Sequence, residues 1–500
     1  MPGREGSSSV GAPTPVEQLR GHPGDSTRGS ARRRRDVSAL RAPSSPQHRT
    51  GRPAPPRARI TDSSADTVVV ALAAAFLDGA WTPEGLTHRG RAAVGSPRAG
   101  WVAKVAAAVL EQFHRPPHDA PRELHTCILR STAYGSAKHA AARRGVPLRM
   151  AHLAVGTTRM RGNRFGVPEL HTVLDVAEFL EVDPEHLDWF ADLRRHQVRA
   201  AGRALHHYRS AWTAKRGVPR LLEAPKPRLK HLQRRVLHEV LDRVPAHDVA
   251  HGFVPGRSAL TGAWDHVQAR TVVRFDLEGF FASVPASRVY GRFRLIGYAE
   301  PVAHVLTGLT THVTPLTVLR TMPDGGAADA RFRLRRNLSQ AHLPQGAPTS
   351  PALANLCAHA VDRRLDGLAR AVGATFTRYA DDLTFSSTTG LDPAALARSV
   401  SRIVADEGFV LNPVKTRTRG RGARQLVTGL VVNDHPNVPR DEFDRLKAVL
   451  HNCVVHGPAS QDRAAHPDFR AHLEGRVSRV EFVNPAKGQR LRRSFERIPW

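Results

Sequence analysis

Two aspartates, Asp381 and Asp382, stand side by side in TRYADDLTFS at 377–386, a run that otherwise reads as strand. Neighbouring side chains of a regular strand point to opposite faces, so a pair meant for one ligand must sit at a bend. ATFTRY and LTFSS read as two strands joined through Ala380, Asp381 and Asp382, a hairpin with its acids at the tip. An acidic pair in a turn is by itself an ordinary solvated feature. A second strand-like run, TVVRF, also ends on a carboxylate, Asp276, and is followed by Leu277, Glu278, Gly279, Phe280 and Phe281. Three acids at strand ends form an oxygen donor set suited to Mg²⁺, and two such ions about 3.5–4 Å apart suit in-line phosphoryl displacement.

These acids need a scaffold, and the chain from about 200 onward supplies an α+β pattern. The short β-rich runs TVVRFDL, ATFTRYA, LTFSS and LVTGLVV alternate with long amphipathic helices. The helix after Ser350 is the clearest. Ser350 is its expected cap and Pro351 suits its first turn, while Leu353, Leu356, Cys357, Ala360, Val361, Leu365 and Leu368 form one apolar stripe. Residues 63–199 read as a helical region of unassigned role, with helix boundaries expected at Pro168 and Pro184. Residues 1–62 are dominated by Gly, Ser, Pro and Arg, include the run Arg32–Arg35, and read as a disordered basic arm.

Composition narrows the partners. The formal charge is +29, with 74 Lys and Arg against 45 Asp and Glu, which points to a polyanion, and nucleic acid fits best. Arg greatly outnumbers Lys, so part of the excess can reflect GC-rich coding. The three cysteines, Cys127, Cys357 and Cys453, are widely separated, which argues against a disulfide framework or a cysteine zinc site and suggests a reducing cytoplasm. The longest apolar run, VVVALAAAFL at 68–77, is too short to span a bilayer, and no membrane partner is expected.

The motifs together resemble a family. YADD at 379–382 looks like the Y-x-D-D box of reverse transcriptases, RFDLEGFF at 274–281 like their first catalytic motif, and LPQGAPTSP at 343–351 like the segment between them. GFVLNPVKT at 408–416 and RQLVTGLVVN at 424–433 continue the likeness. Within the family the bacterial retron group is most similar, through residues 207–237, HGFVPGRS at 251–258, and the V-T-G signature at Val427, Thr428 and Gly429. One departure stands out: where many retron enzymes have N-A-x-x-H, this chain has Gly262, Ala263, Trp264, Asp265 and His266.

The resemblance implies a right-hand polymerase, with fingers at 200–270, palm at 271–433 and thumb at 434–500. It makes Asp276, Asp381 and Asp382 the metal-binding catalytic carboxylates, with the Leu277 carbonyl an additional ligand for two Mg²⁺ ions, Mn²⁺ being an alternative. Lys415 resembles the lysine that assists pyrophosphate departure, and Arg220 and Lys226 resemble residues that grip the triphosphate. Phe281 matches the steric gate that selects dNTPs, while Phe280 reads as core; Gln345 and Gly346 match residues beside the incoming nucleotide. RNA or DNA contacts are expected from His266, from Val427, Thr428 and Gly429, and from Arg490, Arg492 and Arg493 in the basic ending. The implied partners are a structured non-coding RNA serving as template and primer, its cDNA, dNTPs, and a separate effector protein in phage defence. A group II intron enzyme, a diversity-generating reverse transcriptase and a non-catalytic RNA-binding scaffold are the alternatives.

Overall fold

The structure is a computed structural model that describes residues 66–155, 157–199, 203–215 and 217–500; the basic arm expected over 1–62 lies outside the described residues. Eight strands are formed among them: β1 (Tyr208–Lys215), β2 (Val218–Pro225), β3 (Thr271–Asp276), β4 (Thr375–Tyr379), β5 (Asp382–Ser387), β6 (Arg417–Gly420), β7 (Leu426–Val427) and β8 (Leu430–Val431). β1 and β2 pair as a hairpin, β7 and β8 as a minimal one, and the other four form an antiparallel sheet in the order β4-β5-β3-β6. The α+β expectation therefore holds in its coarse form, a mixed helix and sheet fold.

Packing follows the side-chain pattern of β3. Val273 and Phe275 point into the large central core, whereas Val272, on the opposite face, joins a second core. Such a strand, buried on both sides, must be rich in β-branched and aromatic residues, and TVVRF is. The helix Ser350–Ala371 lies in the central core through Leu353, Leu356, Cys357, Val361 and Leu365, as its stripe predicts. Its cap differs from expectation. Thr349 holds the cap position, and the Ser350 hydroxyl donates to the Pro344 carbonyl, 2.7 Å away, closing the turn that leads into the helix.

Three large cores organise the described chain, beside two clusters of three residues each. Helices Thr67–Leu77, Pro83–Ala93, Gly100–Gln112, Pro121–Arg130 and Thr132–Arg143 close one of their own around Leu72, Phe76, Leu86, Val102 and Ile128. Helices Val173–Leu180 and Pro184–Ala191, which the sequence groups with those five, instead contribute Val176, Leu180, Leu187 and Phe190 to the central core. The expected division at 199 thus does not coincide with a break in packing. Pro184 opens its helix as predicted, but Pro168 does not, because Thr172 and Asp175 cap each other reciprocally and start the helix at Val173. The five-helix unit meets the central part through polar ties: Glu300 accepts from the Arg122 amide at 2.6 Å, and Arg294 pairs with Asp119 at 3.0 Å.

The third core gathers helices Arg440–His456, Phe469–Val483 and Pro485–Glu496 with the β7–β8 hairpin and Ala263. Among the described residues, no helix is long and apolar enough to cross a membrane.

Candidate active site

The antiparallel register brings the three acids together. Asp276, the last residue of β3, lies directly opposite Asp382, the first residue of β5. β4 returns into β5 through Ala380 and Asp381, with Tyr379 opposite Asp382 and Ala380 in the left-handed region at φ +55°. The Asp381 carbonyl accepts from the Leu277 amide at 2.9 Å, so the hairpin tip is tied to the end of β3 at the point where the acids emerge. The bend expected between ATFTRY and LTFSS is therefore a two-residue turn, with Asp381 in it and Asp382 already in the ladder.

Charge at the cluster is unevenly distributed. Burial pushes the Asp276 carboxyl above the usual carboxylate range; the Lys415 ammonium opposes this, and Asp381 and Asp382 reinforce it. Asp381 is also raised, by burial first and then by the Asp382 charge, with Lys415 and Arg220 opposing. Lys415 reaches both Asp276 oxygens, at 2.7 and 2.8 Å. Arg274, two residues before Asp276 on the same strand face, donates to Asp382 Oδ1 at 3.2 Å. No three acidic, histidine or cysteine side chains among the described residues are preassembled around one point for a metal. In this cluster the reason is visible, since Asp276 is turned onto Lys415 and Asp382 onto Arg274. The all-oxygen donors, their mutual repulsion and the two cations already drawn to them suit a hard divalent ion, which side-chain rotation would admit.

The raised groups carry a stability consequence. A carboxyl whose pKa is higher in the folded than in the unfolded chain favours folding below the unfolded value, near 4, and that contribution is lost as pH rises through the folded value. At neutral pH Asp276 and Asp381 therefore weigh against the metal-free fold. Asp381→Asn is expected to raise the melting temperature of metal-free protein at pH 7.5 and to shrink the further rise that wild type shows with Mg²⁺. Calorimetric scans with and without Mg²⁺ check both.

Burial separates the two phenylalanines, and Phe280 lies in the core as expected. Phe280 is buried against Phe409 and the Arg378 guanidinium. Phe281 is half-buried and stands 6.2 Å, centroid to centroid, from Phe253, whose ring is 6.3 Å from Tyr379. Phe253 was not singled out from sequence, although it lies in HGFVPGRS; it is exposed and has φ +61°, an uncommon conformation for a bulky residue. Arg274 was also missed, and the two-residue strand period before Asp276 was the signal for it.

The Gln345 carbonyl accepts from the Glu223 amide of β2 at 2.8 Å. Gly346, at φ +128°, gives room to that same backbone, since an added Cβ would meet the Glu223 carbonyl at 3.1 Å. The backbone nearest Gly346 is thus that of the β1–β2 hairpin. Arg220, on β2, is near enough to oppose the rise at Asp381. Lys226 caps helix Pro227–Glu239 and its ammonium donates to the Ala204 carbonyl at 2.8 Å.

Some expected nucleic-acid contacts are corrected by burial. His266 is 0 % exposed, and its ring nitrogens lie 2.7 Å from Ser386 Oγ and 2.7 Å from Thr377 Oγ1. Burial pushes its pKa down to about 3, so it is a neutral pin between β4, β5 and the segment that follows helix Ala259–Trp264, not a surface ligand. His266→Ala is expected to lower stability by about 2–4 kcal/mol, through the cavity and two hydroxyls left unpaired, with the RNA affinity of the folded fraction unchanged; denaturant titration and filter binding test this. Gly262 is buried against His251, where a Cβ would lie 3.1 Å from its ring, so this chain fills with imidazole the space beside the family's Asn position. Val427 is also core, leaving only Thr428 (φ +50°) and Gly429 (φ +85°) at the β7–β8 tip. Arg492 is committed to Glu481 and Glu474, whereas Arg490 and Arg493 are exposed.

Known proteins of one family are similar to this chain. The family model for reverse transcriptase (RNA-dependent DNA polymerase) matches residues 213–426. Retron Mx65 reverse transcriptase of Myxococcus xanthus is 42% identical over 339 residues, covering 66% of this chain and 72% of that protein. Retron Mx162 reverse transcriptase of the same organism is 36% identical over 412 residues, covering 78% and 79%. Retron Ec86 reverse transcriptase of Escherichia coli is 30% identical over 344 residues, covering 67% and 92%.

Proposed function

The chain belongs to the bacterial retron-type reverse transcriptases and is an RNA-directed DNA polymerase, and from that premise we propose that it copies a structured non-coding RNA into single-stranded DNA that stays joined to the RNA. The observation that carries the reading at this site is the register of β3 on β5, which gathers Asp276, Asp381 and Asp382 at one sheet end. We assign residues 200–270 to fingers, 271–433 to palm and 434–500 to thumb, counting the helices between 173 and 191 with the palm whose core they share.

In this mechanism the primer oxygen forms a bond to the α-phosphorus as the bond to pyrophosphate breaks. Asp276, Asp381 and Asp382, with the Leu277 carbonyl, would hold two divalent ions, of which Mg²⁺ is the expected species; when bound, these supply Lewis-acid stabilisation of charge on the attacking and leaving oxygens. Of the paired acids, Asp381 is assigned the position shared with Asp276 and Asp382 the peripheral one, because of these two only Asp382 is already engaged by an arginine. Lys415 is assigned proton donation to the departing pyrophosphate, Arg220 and Lys226 the grip on the triphosphate, and Gln345 and Gly346 the floor beneath the base. Phe281 excludes a ribose 2′-hydroxyl. Duplex phosphates would be met by Arg490 and Arg493 of the thumb.

Sequencing the nucleic acid that co-purifies with the protein tests the proposal. A branched RNA–DNA species is the expected result, and linear cDNA alone would overturn the joined product. The defence role with a separate effector follows from the family alone; strains losing this chain are then expected to plate phage more efficiently.

A further inference from the structure

Arg378, in the strand that leads to the acids, is fully buried. Its guanidinium forks onto Asp362 of helix Ser350–Ala371, Nε to Oδ1 and Nη2 to Oδ2, each at 2.6 Å. Nη1 donates to Asn355 Oδ1 at 2.9 Å and to the Ala380 carbonyl at 3.2 Å. Asp362 is 0 % exposed and Asn355 2 % exposed, and Asn355 Nδ2 in turn donates to the Gly252 carbonyl at 2.9 Å. The Arg378 backbone is pinned as well, its amide to Val249 and its carbonyl to the His251 amide.

Stability does not by itself explain such a group. Replacing a buried ion pair by apolar residues of similar volume is often neutral or stabilising, because desolvation offsets the attraction. What an apolar pair cannot do is hold a carbonyl. The carbonyl held here belongs to the peptide joining Ala380 to Asp381, in the residue with φ +55°, a conformation that costs an L-residue about 1–2 kcal/mol. Fixing that peptide fixes the direction from which the Asp381 side chain leaves the turn. The next carbonyl along, that of Asp381, is the one tied to the Leu277 amide. The turn is therefore clamped from both sides, from the long helix by Arg378 and from β3 by Leu277.

We infer that Arg378, oriented by Asp362 and Asn355, is a positioning residue that aims Asp381 at the metal and substrate. This rests on the catalytic reading of Asp381. The guanidinium touches no reacting atom; its planar fork is needed because two donors engage Asp362 while a third reaches the turn, which a lysine ammonium is too short and too compact to reproduce.

The decisive variant removes both charges, Arg378→Met with Asp362→Leu, and three quantities are read on it: melting temperature, Mn²⁺ affinity by electron paramagnetic resonance, and primer-extension kinetics. A melting temperature close to wild type is expected, with Mn²⁺ bound about tenfold or more weakly and kcat reduced about 10–100-fold, at unchanged KM for primer–template. A folded double variant with wild-type Mn²⁺ affinity and kcat overturns the inference. Should the double variant fail to fold, Arg378→Lys, which retains the ion pair, is expected to show the same losses in Mn²⁺ affinity and kcat, and wild-type values there overturn it equally. Wild-type protein that neither extends a primer nor binds Mn²⁺ in an Asp381-dependent manner would instead remove the catalytic reading, and the positioning role with it.

Discussion

Asp381→Asn is expected to reduce kcat for primer extension on RNA by about 10³-fold or more, equivalent to roughly 4 kcal/mol of lost transition-state stabilisation, while Asp382→Asn is expected to leave measurable synthesis. The two residues are adjacent but their settings are not alike. Asp381 lies in the turn with its carboxyl raised by burial and by its neighbour, and among the described side chains no cation donates directly to it. Asp382 lies in the ladder with Arg274 on one of its oxygens. An acid that must give up an arginine to meet an ion contributes less net attraction than one that is already destabilised as a free anion. Single-turnover rates for both variants across a Mg²⁺ series separate the roles: loss at Asp382 should be partly recovered at high Mg²⁺, and loss at Asp381 should not. Equal and unrecoverable losses would erase the distinction between them.

The second large effect concerns sugar choice. Phe281→Ala is expected to raise the ratio of kcat/KM for an rNTP to that for the matching dNTP by about 10–100-fold, since a gate works by exclusion and its removal relieves a clash worth a few kcal/mol. The direction is what identifies the gate. Truncating a core phenylalanine would depress both substrates through stability, as Phe280→Ala should, because that ring is buried between Phe409 and Arg378. A ratio unchanged in Phe281→Ala would move the selection elsewhere, with Phe253, in ring contact with Phe281, the next residue to examine.

Much of this was legible in the sequence because short motifs encode local geometry. An acid at the end of a β-branched run, and two acids between strand-like runs, leave few places for the carboxylates except a sheet end. The stripe of the Ser350 helix was readable for the same reason, its period being that of one helix face. What escaped was set by tertiary contact. Arg378 reads in sequence as an ordinary strand residue of alternating polarity, and nothing local says that Asp362 waits for it inside the core. His266 looked like a ligand because its motif is associated with one; only the packing of Thr377 and Ser386 around its ring shows it to be internal. β1 and β2 were read as a motif without their strand pairing, since the inward face of VPRLLEAP carries Pro219, Leu221, Glu223 and Pro225, which do not read as an apolar alternation. The start of helix Val173–Leu180 shows a local contest decided the other way, a reciprocal cap prevailing over a nearby proline.

The division of the interior has a consequence for how such a chain can change over time. The five leading helices bury their apolar residues among themselves and touch the polymerase through polar ties such as Glu300 to Arg122 and Arg294 to Asp119, a few largely buried pairs that a matching partner surface would have to supply again. The helices from Val173 to Ala191 are not free in this way, because Leu187 and Phe190 are part of the same interior that supports the acids. A lineage can therefore exchange the helices from Thr67 to Arg143 for another unit that supplies the same polar ties while leaving the copying machinery intact, whereas a cut made forty residues later would open that machinery from within.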